Sequence, residues 1–186
     1  MAGRKRGFDR EAVLDQVTRA FWRAGYDATS VADLTRLTGV NPPNLYAAFG
    51  DKKALFAEVV ERYRHTYGAF AGRALAEEPT ARAAVERILH EAATGYTDPE
   101  RPRGCLVLSA PELAEHRRAA IDAVEAKISA DVAAGVLPGS TDAHGLAVFV
   151  AATVHGMSGL ARDGATRGEL GRVARAALSA WPAPVP

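Results

Sequence analysis

Residues 20–40 read AFWRAGYDATSVADLTRLTGV, and residues 41–56 continue NPPNLYAAFGDKKALF. Two short helices are written into this stretch. Ser30 caps the first, and Asp33 three residues later completes a capping-box pattern. Val31, Leu34 and Leu37 are expected to form its inner face, and Gly39 stops it. Asn41 caps the second, with Pro42 at the first helical position, where a missing N–H costs nothing. Leu45, Tyr46 and Phe49 follow, and Gly50 ends that helix. The close junction at Gly39-Val40 predicts a helix-turn-helix.

Working outward, every block reads as helix. Before the pair, Val13, Leu14, Val17, Phe21 and Ala24 give one apolar face from about Asp9 to Gly25. After it, Asp51 caps a helix expected to run through Leu55, Phe56, Val59, Val60 and Tyr63 to residue 76. Further helices are expected over 81–94, 111–134, 142–163 and 167–181, with a loop at TDPERPRG, residues 97–104. The fold class is all-α, with about nine helices. Residues 1–50 form a helix-turn-helix head and residues 51–186 a body, joined by the helix over 51–76.

Apolar residues make up 48% and charged residues 24% of the 186, as in a globular chain. Residues 1–64 hold eleven Lys/Arg against eight Asp/Glu, and the remainder twelve against fourteen, so the basic excess sits in the head. The single cysteine, Cys105, excludes a disulfide within the chain and a Cys-rich zinc site. The N-terminus lacks the apolar core of a signal peptide, and the apolar run 146–154 is too short for a bilayer. A cytoplasmic protein without a membrane partner is expected.

In a helix-turn-helix the second helix lays its N-terminal residues in the major groove of DNA. Asn41 and Asn44 suit base contacts there. Thr29, Tyr46 and Lys52 are placed to meet phosphates. The stretch from Phe8 to Tyr63 resembles the DNA-binding domain of the TetR-family repressors, on Gly39-Val40, Leu45-Tyr46, Phe49, Lys52 and Leu55. That resemblance covers about a third of the chain. It implies a phosphate-contacting Tyr46, Lys52 beside the DNA backbone, Thr29 before the bracing helix, and a variable base-reading face over Asn41, Pro42, Pro43 and Asn44. Arg4, Lys5 and Arg6 resemble the family's arms that reach a minor groove; a solvated tail is the other reading. Two features depart from the family. Ala48 stands where many members carry His, and Pro42 and Pro43 offer no side-chain hydrogen bond, leaving contact with thymine methyl groups.

The resemblance also implies a body that binds a small-molecule effector and pairs with a second copy. Tyr63, Tyr67, Phe70, Tyr96, Cys105 and His116 are the candidate pocket residues; aromatic residues at helical spacing also serve as plain core. RGCLVL, residues 103–108, resembles members with a sensing cysteine. Arg101, Arg103 and a short helix starting at Cys105 would favour its thiolate, although a small buried cysteine is the alternative. The helix over 142–163 is apolar on several faces. Leu146, Phe149, Val150, Val154, Met157 and Leu160 are expected at the dimer seam, against the alternative of a central helix of one protomer.

The expected function is a homodimeric repressor of a near-palindromic double-stranded operator, released by an unknown small molecule or, alternatively, by oxidation or alkylation of Cys105. No nucleophile–base pair, phosphate-cradling loop or HExxH motif is present, so neither enzyme activity nor a cofactor or metal is expected. A helical interaction module that has lost DNA binding is the remaining alternative, kept open by Ala48 and Pro42.

Overall fold

A computed structural model describes residues 8–183, which divide into two compact units at Thr66/Tyr67. Among the described residues there are ten α-helices, one 3-10 turn and no strand.

The first unit holds α1 (Arg10–Ala24), α2 (Val31–Thr38), α3 (Pro42–Phe49) and α4 (Lys52–His65). Its helix starts are those expected. Asp9, Ser30, Asn41 and Asp51 each accept backbone N–H groups of the following turn, and Ser30 and Asp33 complete a capping box. Val17, Phe21, Leu34, Leu45 and Val59 are buried in the core. Phe21 meets Phe56 edge-on at 5.1 Å, and Trp22 meets Tyr63 edge-on at 4.9 Å.

Two expectations fail here. Leu37 is 50% exposed and does not belong to the inner face of α2. The helical stripe starting at Val31 passes through Leu34 to Thr38, and Leu37 falls beside it. The helix expected over 51–76 is two: α4 ends at His65, and α5 (Phe70–Glu77) starts after a turn. Phe56, Val59, Val60 and Tyr63 complete the core of α1, so α4 packs within the first compact unit, which closes at Thr66.

The second unit holds α5, α6 (Ala81–Gly95), α7 (Leu106–Ser109), a 3-10 turn (Pro111–Leu113), α8 (Ala114–Ala133), α9 (Ala143–Arg162) and α10 (Arg167–Ser179). Helix α6 packs against α5, α9 and α10, and α8 lies along α9. Near the C-terminal end of α8, the buried Asp131 carboxylate accepts the Ala81 N–H at 2.7 Å and so caps α6. By length and composition α9 is apolar enough to cross a membrane (20 residues, mean hydropathy 1.3), which the run 146–154 alone did not suggest. Its inner face, with Ala147, Val150, Met157 and Ala161, is core of the folded body.

The segment from Arg103 to Ser109 is laced to α9. Arg103 Nη1 donates to the Ala161 and Ala165 carbonyls, Cys105 N–H to Ser158 Oγ at 2.9 Å, and Arg162 Nη2 to Ser109 Oγ at 2.7 Å. Gly104 makes this approach possible. Its φ is +75°, and a Cβ there would lie 2.8 Å from the Ser158 carbonyl oxygen. Gly104→Ala is therefore expected to destabilise the body by about 1–3 kcal/mol. Gly72→Ala, where a Cβ meets nothing within 4 Å inside α5, should be neutral or stabilising. Thermal melts of the two variants check the contrast.

Candidate functional site

Helix α3 has a buried and an open side. Leu45 and Phe49 point inward, while Asn41, Pro42, Pro43, Asn44, Tyr46 and Ala47 are exposed. Its N-terminus is fixed by Asn41 Oδ1, which accepts the Asn44 N–H at 3.0 Å, and by the two prolines of its first turn. Its C-terminal end is fixed by Arg10, on α1. That guanidinium lies 4.4 Å from the centre of the Phe49 ring, donates to the Ala48 carbonyl at 3.3 Å and pairs with Glu58 at 2.5 Å. Helix α3 is thus mounted rigidly with its outer side free of internal duty.

Around it, Tyr46 is 46% exposed, a high value for an aromatic residue and incompatible with a core role. Lys52 opens α4 with its Nζ 4.2 Å above the Tyr26 ring. That ring in turn packs against Phe56, so the ammonium is held at the unit's surface. Thr29 differs from expectation. It is 3% exposed, and its hydroxyl donates to the Gly25 carbonyl at 2.7 Å. Its side chain closes the loop before α2 and is turned into the unit. Arg4, Lys5 and Arg6 lie outside the described residues.

Of the candidate pocket residues, Phe70, Tyr96 and Cys105 come together. Phe70 meets the Tyr96 ring edge-on at 6.2 Å, and the Tyr96 phenol shares a hydrogen bond with the Cys105 thiol. Burial first, and then this thiol, holds the Tyr96 phenol well above its ordinary range, so it stays protonated. Tyr67 packs under the Arg101 guanidinium at 5.1 Å. His116, early in α8, is half-buried with Nδ1 unpartnered. Tyr63 is a correction: it belongs to the first unit and is core there, because α4 turns it onto Trp22. The arginines beside Cys105 are also engaged otherwise than expected. Arg101 pairs with Asp98 and covers Tyr67, and Arg103 holds the end of α9.

On α9, Phe149 and Leu160 point outward at 41% and 45% exposure, joined by Val148, and Leu146 and Val154 are half-buried. Val150 and Met157 are corrections. Seven residues apart on the inner stripe with Ala147 and Ala161, they are buried in the body's own core. Sequence reasoning missed Ala47 on the open side of α3, which helical spacing from Leu45 and Phe49 would have found. It also missed Arg10, whose partners lie 38 and 48 residues away and leave no local signal.

Residues 13–59 match the family model of bacterial regulatory proteins, tetR family. The chain is 32% identical to the HTH-type transcriptional repressor ComR of Escherichia coli (strain K12) over 97% of this chain and 92% of ComR. It is 37% identical to the HTH-type transcriptional repressor BdcR of the same strain, over 57% of this chain and 54% of BdcR. Among solved structures, a cysteine-substituted variant of the TetR family transcriptional regulator CifR, complexed with 26-bp double-strand operator DNA, is 37% identical. It superposes with a TM-score of 0.90 over 96% of this chain and all of that one.

Proposed function

Because the chain belongs to the TetR family of bacterial regulatory proteins, we propose that it is a homodimeric repressor that binds a near-palindromic operator and leaves it when an effector occupies its body. The observation that carries this is the mounting of α3, with Leu45 and Phe49 locked inward and Asn44 and Tyr46 open to solvent, as a helix entering a DNA groove requires. Repression follows the curated relatives ComR and BdcR, and operator binding follows CifR. A regulator of this kind works in the cytoplasm, beside the chromosome. Asn41, Pro42, Pro43 and Asn44 read bases, while Tyr46 and Lys52 hold phosphates. The effector prefers a body conformation whose two heads no longer match the half-site spacing, and operator affinity falls by that preference.

The dimer is proposed to form through the outward stripe of α9, where Val148, Phe149 and Leu160 flank Gly156 and Gly159. Cys105 supports a second mode of release. Its thiol is hydrogen-bonded to Tyr96, and its backbone is fastened to Ser158 of that same helix. Oxidation or alkylation of the sulfur would break the first contact and disturb the second.

A footprint of the purified protein on DNA flanking its own gene, at low and moderate salt, tests the repressor. A two-fold symmetric protected site that weakens steeply with salt is expected; unlocalised binding on every duplex tried would refute it. Tyr46→Ala should weaken binding to all duplexes alike, by about tenfold, whereas Asn44→Ala should change the preferred base at one position per half-site. If both variants bind as the parent does, α3 is not the reading helix. A Cβ at Gly156 meets nothing within 4 Å in one protomer, so Gly156→Ala should stabilise an isolated α9 by up to about 1 kcal/mol. Sedimentation equilibrium is nonetheless expected to show a weaker dimer for Gly156→Ala and largely monomer for Phe149→Glu. An undiminished dimer in both variants would take α9 out of the seam.

A further inference from the structure

We propose that the centre of the reading face selects thymine by its C5-methyl group, through Pro43 and Ala47, and not by hydrogen bonds to base edges. This rests on α3 being the reading helix. At about 100° per residue, the direction opposite the buried Leu45 and Phe49 is that of Ala47, with Pro43 about 40° and Asn44 about 60° away. Tyr46 lies about 100° round, toward the flank. The part of α3 that would enter a groove most deeply is therefore carbon alone.

Of the polar groups nearby, the exposed Asn44 side chain stands beside this patch and is left for a neighbouring base, not for its centre. Asn41 Oδ1 accepts the Asn44 N–H, which holds that side chain at the cap and leaves only its amide N–H donors for a base at the edge of the patch. Neither proline has an N–H, and α3 cannot roll to present another side, because Arg10 holds the Ala48 carbonyl while its guanidinium covers Phe49. In the major groove every base edge carries donors or acceptors, and the thymine methyl is the one apolar group. A rigid carbon surface pressed on a G·C edge strips water from polar atoms and returns no hydrogen bond. Against a methyl group the same surface gains. Pro43 and Ala47 are one turn apart, about 6 Å, enough to reach two neighbouring bases stacked about 3.4 Å apart.

The test begins with duplexes that the full-length protein selects from a random-sequence library. In each selected site every thymine is replaced singly by deoxyuridine, which removes the methyl and keeps every hydrogen-bonding atom. Binding is expected to weaken about fourfold at one or two positions per half-site, the effect of burying one methyl, and to be unchanged elsewhere. In Ala47→Ser the thymine-to-uracil ratio should fall towards one at one of those positions. Tyr46→Ala should weaken both duplexes while leaving the ratio intact, which separates methyl contact from general loss of affinity. Equal binding of thymine and uracil at every position, or selected half-sites without thymine on either strand, overturns the proposal while leaving the repressor standing. Selection that enriches no site removes the reading helix and this inference with it.

Discussion

An eight-residue helix does not hold itself together in water, because nucleation consumes more conformational freedom than two turns of hydrogen bonds return. Helix α3 exists because its surroundings supply what it lacks: a side-chain cap at Asn41, two prolines with φ already set, Leu45 and Phe49 in the core, and Arg10 over its last turn. Everything proposed for the first unit depends on that mounting. Since the fastening is all on one side or at the ends, the other side carries no structural load. Its residues are left to meet a partner, and their chemistry shows how it would be recognised: two amides and a phenol around a carbon centre.

The body shows a comparable division on α9. Its inner stripe, through Val150 and Met157, completes a core with α6, α8 and α10, while Phe149 and Leu160 face out. The segment around Cys105 is fastened to that helix through Gly104 and Ser158, and Tyr96 ties the same cysteine to Phe70 at the start of α5. A change near Tyr96 and Cys105 is thus connected to α9 by short hydrogen bonds rather than through a soft loop.

Much of the fold was legible because its signals are local. A cap acts over three residues, so Ser30, Asn41 and Asp51 announced their helices within a turn. Glycine at positive φ marked the stops at Gly39 and Gly50. Where two helices abutted without such a signal the boundary was lost: the turn between His65 and Phe70 has neither proline nor a left-handed glycine, and one helix was expected across it. Of the candidate site, the exposure of Asn41, Pro42, Pro43, Asn44 and Tyr46 was readable from helical spacing, whereas the burial of Thr29 was not, because a threonine beside a cap suits both an outward position and an inward bond to Gly25.

By itself the sequence determined the all-helical class and the positions of α2 and α3, since periodicity and capping are properties of neighbours along the chain. Only the tertiary structure decided which apolar residues are covered. Leu37, Phe149 and Leu160 are as hydrophobic as Leu34, Val150 and Met157, and nothing local separates them. Nor could the sequence tell where the long guanidinium side chains go. Arg10 reaches α3 and α4, and Arg103 reaches the end of α9, because burial and ion pairing are settled by segments far apart in the chain that meet only when it folds.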